Sequence, residues 1–355
     1  MLFSKPCQRS NIFKFFFLHK VHPPKPQTYP HKPYFWRLFL NTNHNMQPGI
    51  KVFAPASVGN AAVGFDVMGF ALEQPGDEII VRFSDTPGLR ITLISGAKGK
   101  LPYDPQKNTA GFAALKLLEH LGESGRGIEM ELHKKMPIGS GLGSSAASAV
   151  AGVMAINELL KRPLEKKDLL PFALQGEYIA SGGWHADNVA PSLMGGLVLI
   201  RDNETMDFHR LPMPRGIYAT VIYPHVEILT KDARSILSDA VPLKKFIQQN
   251  ANLGAFIIGL YNSDIALIGR ALQDVIIEPQ RAKLIPHFYE IKEAVMKAGA
   301  LGCSISGAGP SIFALSANSL IAEEVGEAMK RVYARAGIEH DLYVSPINQE
   351  GTIKL

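Results

Sequence analysis

Residues 137–152 read PIGSGLGSSAASAVAG, with glycines at Gly139, Gly141 and Gly143, hydroxyls at Ser144 and Ser145, and small residues from Ala146 to Gly152. Glycine tolerates positive φ and lets a backbone approach a ligand closely. A glycine-rich turn that runs directly into a helix leaves several N–H groups unpaired and aligned. With the positive end of the helix dipole they form an anion site suited to phosphate. The Walker A loop requires a Lys after its last glycine, where this chain has Ser144. The dinucleotide fingerprint requires G-x-G-x-x-G, where this chain has G-x-G-x-G. The bland reading is a flexible turn ahead of a packing helix.

The flanking residues supply the context a phosphate cradle needs. Ile128 to Leu132 alternates as a strand, Lys134-Lys135-Met136 connects, and a helix is predicted to about Leu160, before Pro163. Upstream, Ile50 to Pro55 reads as a strand entering a small-residue loop, residues 56–66, whose polar side chains are Ser57, Asn60 and Asp66. Strands are expected at Glu78 to Phe83 and Arg90 to Ile94. Asn108 opens a helix with Phe112, Leu115, Leu118 and Leu121 on one face. Asp168 is expected to cap the next helix, which runs to about Ile179 and carries Glu177. His185, Asp187 and Asn188 then cluster in what reads as a glycine-flanked loop. Further strands are expected at Gly196 to Ile200, Tyr218 to Tyr223, Ile312 to Leu315 and Leu342 to Val344, and helices over 243–272 and 320–336.

The chain has 355 residues, room for two cores. The net charge of +5 is misleading: seven basic and no acidic residues fall in 1–45, leaving 30 basic against 32 acidic residues in the body. No polycationic footprint for nucleic acid remains. Residues 1–45 are rich in Phe, Pro, His and Lys and read as an extension outside the fold, disordered or from a misassigned start, with Met46 as a plausible first residue. Their apolar run, Phe15 to Leu18, is too short to span a bilayer, and neither a transit nor a secretory peptide fits well. Cys303 is the body's one cysteine, which suits a reducing, cytoplasmic setting.

PIGSGLGSSAA resembles the ATP loop of the GHMP kinases (galacto-, homoserine, mevalonate and phosphomevalonate kinases). Ser304 to Ser311 resembles a further motif shared by the GHMP kinases, and the segments around Asn60 and Asp66 (PASVGNAAVGFD), around His185 and Asn188 (GGWHADNVAPSLMGG), Thr230 to Arg234 and Glu278 to Arg281 resemble the homoserine kinase branch. The match spans about residues 50–350. It implies an α+β fold: an N-terminal ATP-binding domain like ribosomal protein S5 domain 2, residues 46–214, and a ferredoxin-like C-terminal domain, residues 215–355.

The resemblance also implies transfer of the ATP γ-phosphoryl group to the hydroxyl of L-homoserine. ATP would lie along Pro137, Ile138, Gly139, Ser140, Gly141, Leu142, Gly143, Ser144, Ser145, Ala146 and Ala147, with Asn108 near the base, and Thr230 and Gly309 contributing. Asn108 reads equally well as a helix cap. Ser145 and Glu177, with Ser144 as a further candidate, would hold Mg²⁺. Asp66 would meet the substrate ammonium, Arg234 and Arg281 its carboxylate, and Asn60, His185 and Asn188 would orient it. Asn60, Glu177 and Arg234 carry the catalytic expectation. No general base is evident: Asp187 is the nearest candidate, against a route without one. A homodimer is compatible with the resemblance. A mevalonate-type kinase and a non-catalytic ligand-binding member of the fold are the alternatives left open.

Overall fold

The computed structural model describes residues 49–355, so the expectations for the 1–45 extension lie outside the described residues. The described residues belong to one compact unit. The first half runs β1 (Ile50–Gly59), β2 (Met68–Phe83), β3 (Leu89–Ser95), α1 (Thr109–His120), β4 (Ile128–His133), α2 (Ser144–Leu159), α3 (Leu170–Ser181), α4 (Ala186–Met194), β5 (Leu197–Asp202) and β6 (Asp207–Leu211). The second runs β7 (Tyr218–Pro224), α5 (Thr230–Ser235), α6 (Leu243–Asn262), α7 (Ile265–Ala271), α8 (Glu278–Arg281), α9 (Phe288–Lys297), β8 (Gly302–Ile305), β9 (Ile312–Ser316), α10 (Ser319–Ala336), β10 (His340–Pro346) and β11 (Ile353–Lys354).

A seven-stranded sheet has the order β11-β1-β2-β4-β3, with β5 and β6 continuing off β2. All its pairs are antiparallel except β3 with β4. A parallel pair needs a crossover, here α1. Helix α2 lies against β1, β2 and the other helices of this half, and nearly every residue of it is buried. A helix rich in alanine and serine can be surrounded this way because small side chains let neighbours approach. The same closeness explains α1. Its core stripe is Ala110, Ala113, Ala114, Leu117 and Leu118, while Phe112, Leu115 and Leu121 are only half buried.

The second sheet is four-stranded and antiparallel, order β10-β7-β9-β8. With α9 before β8 and α10 before β10, it has the split βαββαβ arrangement expected of a ferredoxin-like unit. The last strand, β11, returns to pair with β1.

Several expectations need correction. β1 continues to Gly59, so the turn begins at Asn60 rather than at residue 56. β2 begins at Met68, ten residues before the expected start at Glu78. Asp168 lies inside a short 3-10 turn, Lys166–Leu169, and does not cap α3. Asp187 and Asn188 sit on the first turn of helix α4, with His185 at its N-cap, not on a loop. The flanking glycines and Pro191 disguise this nine-residue helix. Strands β6, β8 and β11 were not expected, and β8 takes in Ser304 and Ile305 from what reads as the second glycine-rich turn.

Candidate active site

The three glycines of the loop all adopt left-handed conformations, with φ of 72°, 82° and 64° at Gly139, Gly141 and Gly143. At Gly141 a side chain is excluded twice over, because a Cβ would also lie 2.6 Å from the Ser306 carbonyl oxygen and 2.8 Å from that of Gly309. The second glycine-rich turn is thus packed against the first. Ser306 Oγ donates to the Gly141 carbonyl at 2.7 Å, and the Ser311 N–H to that of Ser140 at 3.2 Å. Gly143 is the N-cap of α2 and supplies no side-chain acceptor, which leaves first-turn N–H groups for an anion.

These elements line a cavity of about 520 Å³. Within it Ser145 Oγ donates to Glu177 Oε2 at 2.5 Å, and Glu177 Oε1 lies 3.4 Å from His185 Nδ1. That hydrogen bond to Glu177 raises the His185 pKa against the opposing effect of burial. Ser144 Oγ is buried with no hydrogen-bond partner. Among the described residues no three His, Cys, Asp or Glu side chains are placed to hold a metal alone. One buried carboxylate beside two serine hydroxyls and open phosphate donors does fit Mg²⁺, which usually takes one or two carboxylates plus substrate phosphates.

Asn60, which lines the cavity, begins a run of three left-handed residues, Asn60, Ala61 and Ala62, with φ 69°, 36° and 61°. The Asn60 amide holds this strained turn together: its Nδ2 donates to the Gly307 carbonyl at 2.6 Å and its Oδ1 accepts the Asp66 N–H at 3.0 Å. Its own N–H donates to Asp187 Oδ2 at 2.9 Å. Burial, reinforced by the nearby Asp66 charge, pushes the Asp187 carboxyl up to about 6. Asn188 Oδ1 accepts from Ser57 Oγ at 3.1 Å. Arg234 donates to both carboxylate oxygens of Asp66. Arg281 is 3% exposed and donates to the carbonyls of Ala233 and Gly307, each at 3.0 Å, and burial lowers its pKa.

The cavity brings together Asn60, Asp66, Asn108, Glu177, His185, Asn188, Thr230, Arg234, Arg281, Gly309 and the loop residues Ile138, Gly139, Ser140, Gly141, Gly143, Ser144 and Ser145. Pro137, Leu142, Ala146 and Ala147 do not line it. The last three turn their side chains into the core, and the Ala147 N–H is already bonded to the Gly143 carbonyl. Asn108 caps α1, its Oδ1 accepting from the Ala110 and Gly111 N–H groups.

A model of the GHMP kinase N-terminal domain matches residues 108–196, and one of the GHMP kinase C-terminal domain matches residues 256–335. The homoserine kinase of Chlorobium phaeobacteroides is 48% identical over 315 residues, 85% of this chain and 98% of that protein. That of Chlorobaculum tepidum is 48% identical over 311 residues, 84% and 96% of the two chains. This chain belongs to the homoserine kinase family of the GHMP kinases. The crystal structure of homoserine kinase from Cytophaga hutchinsonii has 53% sequence identity to it and superimposes with a TM-score of 0.85, covering 90% of this chain and all of that one.

On this homoserine kinase scaffold one buried group stands out that the sequence reading passed over. Lys134 is among the residues lining the cavity, and its Nζ donates to Asp77, to the Ser144 carbonyl at 2.8 Å and to Ser148 Oγ at 2.7 Å. Asp77 also accepts the N–H groups of Lys135 and Met136. The signal was present in the β4 register. Ile128, Met130 and Leu132 point inward, and the same alternation carries Lys134 inward while Lys135 stays exposed.

Proposed function

We propose that this chain transfers the γ-phosphoryl group of ATP to the side-chain hydroxyl of L-homoserine, giving O-phospho-L-homoserine and ADP, as a step of threonine biosynthesis. The observation that carries the reading is the junction, in one cavity, of an uncapped glycine-loop helix and an Asp66–Arg234 charge pair. The first suits phosphates. The second suits a zwitterion, since a guanidinium matches a carboxylate and a carboxylate matches an ammonium.

Phosphoryl transfer depends on positioning and on charge stabilisation more than on covalent chemistry. In this reading the N–H groups at the start of α2 hold the phosphates, with Thr230 at their flank. Glu177 and Ser145 are the residues that would hold Mg²⁺. The ion, when bound, neutralises charge developing on the phosphate oxygens. Arg234, backed by Arg281, takes the acceptor carboxylate, and Asp66 takes its ammonium. Asn60, His185 and Asn188 orient the hydroxyl toward the phosphates.

The hydroxyl proton has two routes. It leaves without a dedicated base, as charge stabilisation at the phosphates permits, or it passes to Asp187, whose carboxyl, held near 6, is poised close to neutrality. Relatives of this identity named homoserine kinase favour the amino-acid acceptor over a mevalonate-type one. We place the reaction in the cytoplasm, in keeping with one buried free thiol, Cys303. We also take residue 215, where the chain passes between its two sheets, as the domain divide, and a homodimer as the working assembly.

The test is ADP release by the full-length chain with ATP and Mg²⁺, offering L-homoserine, mevalonate and L-serine in parallel. Turnover with homoserine alone supports the reading. Preference for mevalonate sinks it.

A further inference from the structure

The Asp66–Arg234 contact uses one guanidinium nitrogen. Arg234 Nη2 donates to Asp66 Oδ1 at 2.8 Å and to Oδ2 at 2.7 Å. A carboxylate docks bidentately on a guanidinium either through Nε and Nη2 or through Nη1 and Nη2, so both modes need the atom that Asp66 already holds. The backbones on the two sides are fixed independently. Asp66, at φ 59°, is tied by its N–H to Asn60 Oδ1, and the carbonyl of Ala233, beside Arg234, is held by Arg281 Nε. The ring of Phe65 lies beneath both guanidiniums, 5.6 Å from Arg234 and 4.9 Å from Arg281. Only two side chains therefore have to turn for the pair to open.

The pair is also exposed enough to open. Its side chains are 49% and 37% accessible, and ion pairs in that setting are weak, equivalent to about a two- to fivefold preference. It contributes little to the fold and stands directly in the acceptor region of the cavity.

We propose that, until an acceptor binds, Asp66 and Arg234 occupy each other's binding sites, so that they form a self-paired filter for zwitterions. This inference rests on the acceptor reading above. An acceptor with both charges replaces one ion pair by two and leaves nothing bare. An acceptor with only a carboxylate must evict Asp66 and leave it unpaired. An acceptor with only an ammonium leaves Arg234 unpaired. Selectivity for an amino acid then comes partly from competition inside the protein, in addition to the contacts made to the ligand.

The test is calorimetric binding to the full-length chain of L-homoserine, of γ-hydroxybutanoate (homoserine without its amino group) and of aminopropanol (homoserine without its carboxylate). The variants are Asp66→Asn, which keeps a residue tolerant of left-handed φ, Asp66→Gly as a second choice, and Arg234→Ala. Removing the Asp66 charge should weaken homoserine about tenfold or more, yet tighten γ-hydroxybutanoate about two- to fivefold relative to the parent. Arg234→Ala should do the converse for aminopropanol. Loss of affinity for all three ligands in a folded variant, or no gain for the singly charged one, overturns the filter, as does a parent chain that binds none of them. A parent that binds homoserine with this pattern but transfers no phosphate sinks the kinase reading and leaves the filter standing.

Discussion

Asp187 Oδ2 accepts a hydrogen bond from the backbone N–H of Asn60, 2.9 Å away, inside a site where the carboxyl is 2% exposed. The bond ties helix α4 to the strained turn that follows β1. His185 and the hydrogen bonds to the carboxylate offset only part of what burial and the Asp66 charge impose, so the carboxyl is pushed from its ordinary 3.8 up to about 6.

The sign of the consequence follows from linkage. The folded chain holds this proton more tightly than the unfolded chain. The stability it contributes is complete below about pH 4 and is lost as pH rises through about 6, a loss of about 3 kcal/mol. The advantage of Asp187→Asn over the parent should therefore be larger at pH 7.5 than at pH 4.5, where only about a third of the loss has occurred, read by urea denaturation at both values. The same difference at both pH values would contradict this.

Lys134 and Asp77 form a buried ion pair under the first turn of α2, with side chains only 3% and 2% exposed. Removing one partner strands the other charge and should cost about 3–5 kcal/mol. The double change Lys134→Met with Asp77→Leu should cost less than either single change, because no bare charge remains. Additive losses in chemical denaturation would show that the pair is not acting as a unit.

Gly141 and Gly139 make a controlled comparison. Both have left-handed φ, but a Cβ at Gly139 meets nothing within 4 Å, whereas one at Gly141 meets two carbonyl oxygens of the second glycine turn. Gly139→Ala should cost about 1–2 kcal/mol from backbone conformation alone. Gly141→Ala adds the clash, should destabilise further, and should weaken nucleotide binding about tenfold or more by displacing the loop. Equal effects of the two in melting and nucleotide titration would refute the role assigned to the contact.

How much of this was legible depends on how local each signal is. The cradle was readable because glycine spacing, the preceding alternation and the small-residue run all lie within residues 128–152. The Asn108 cap was readable for the same reason, since a cap is made with the next three residues. Helix α4 was not, because its start follows two glycines and its interior holds Pro191, signals that normally end helices. The left-handed run at Asn60, Ala61 and Ala62 could not be read at all. Asn60 tolerates positive φ but nothing in Ala61 or Ala62 asks for it, and a contact that sustains the turn comes from Gly307, 247 positions from Asn60. Lys134 fell between these cases, since its register was visible but its partner Asp77 lies in another strand.

The most direct measurement of the central claim is phosphorus NMR of the products formed by the full-length chain from ATP, Mg²⁺ and L-homoserine, alongside Glu177→Ala. The account predicts a phosphate monoester on the homoserine side chain in equal amount to ADP, and a loss of about a hundredfold or more in rate for the variant. Release of inorganic phosphate with homoserine unmodified, or an unchanged rate in Glu177→Ala, would contradict it.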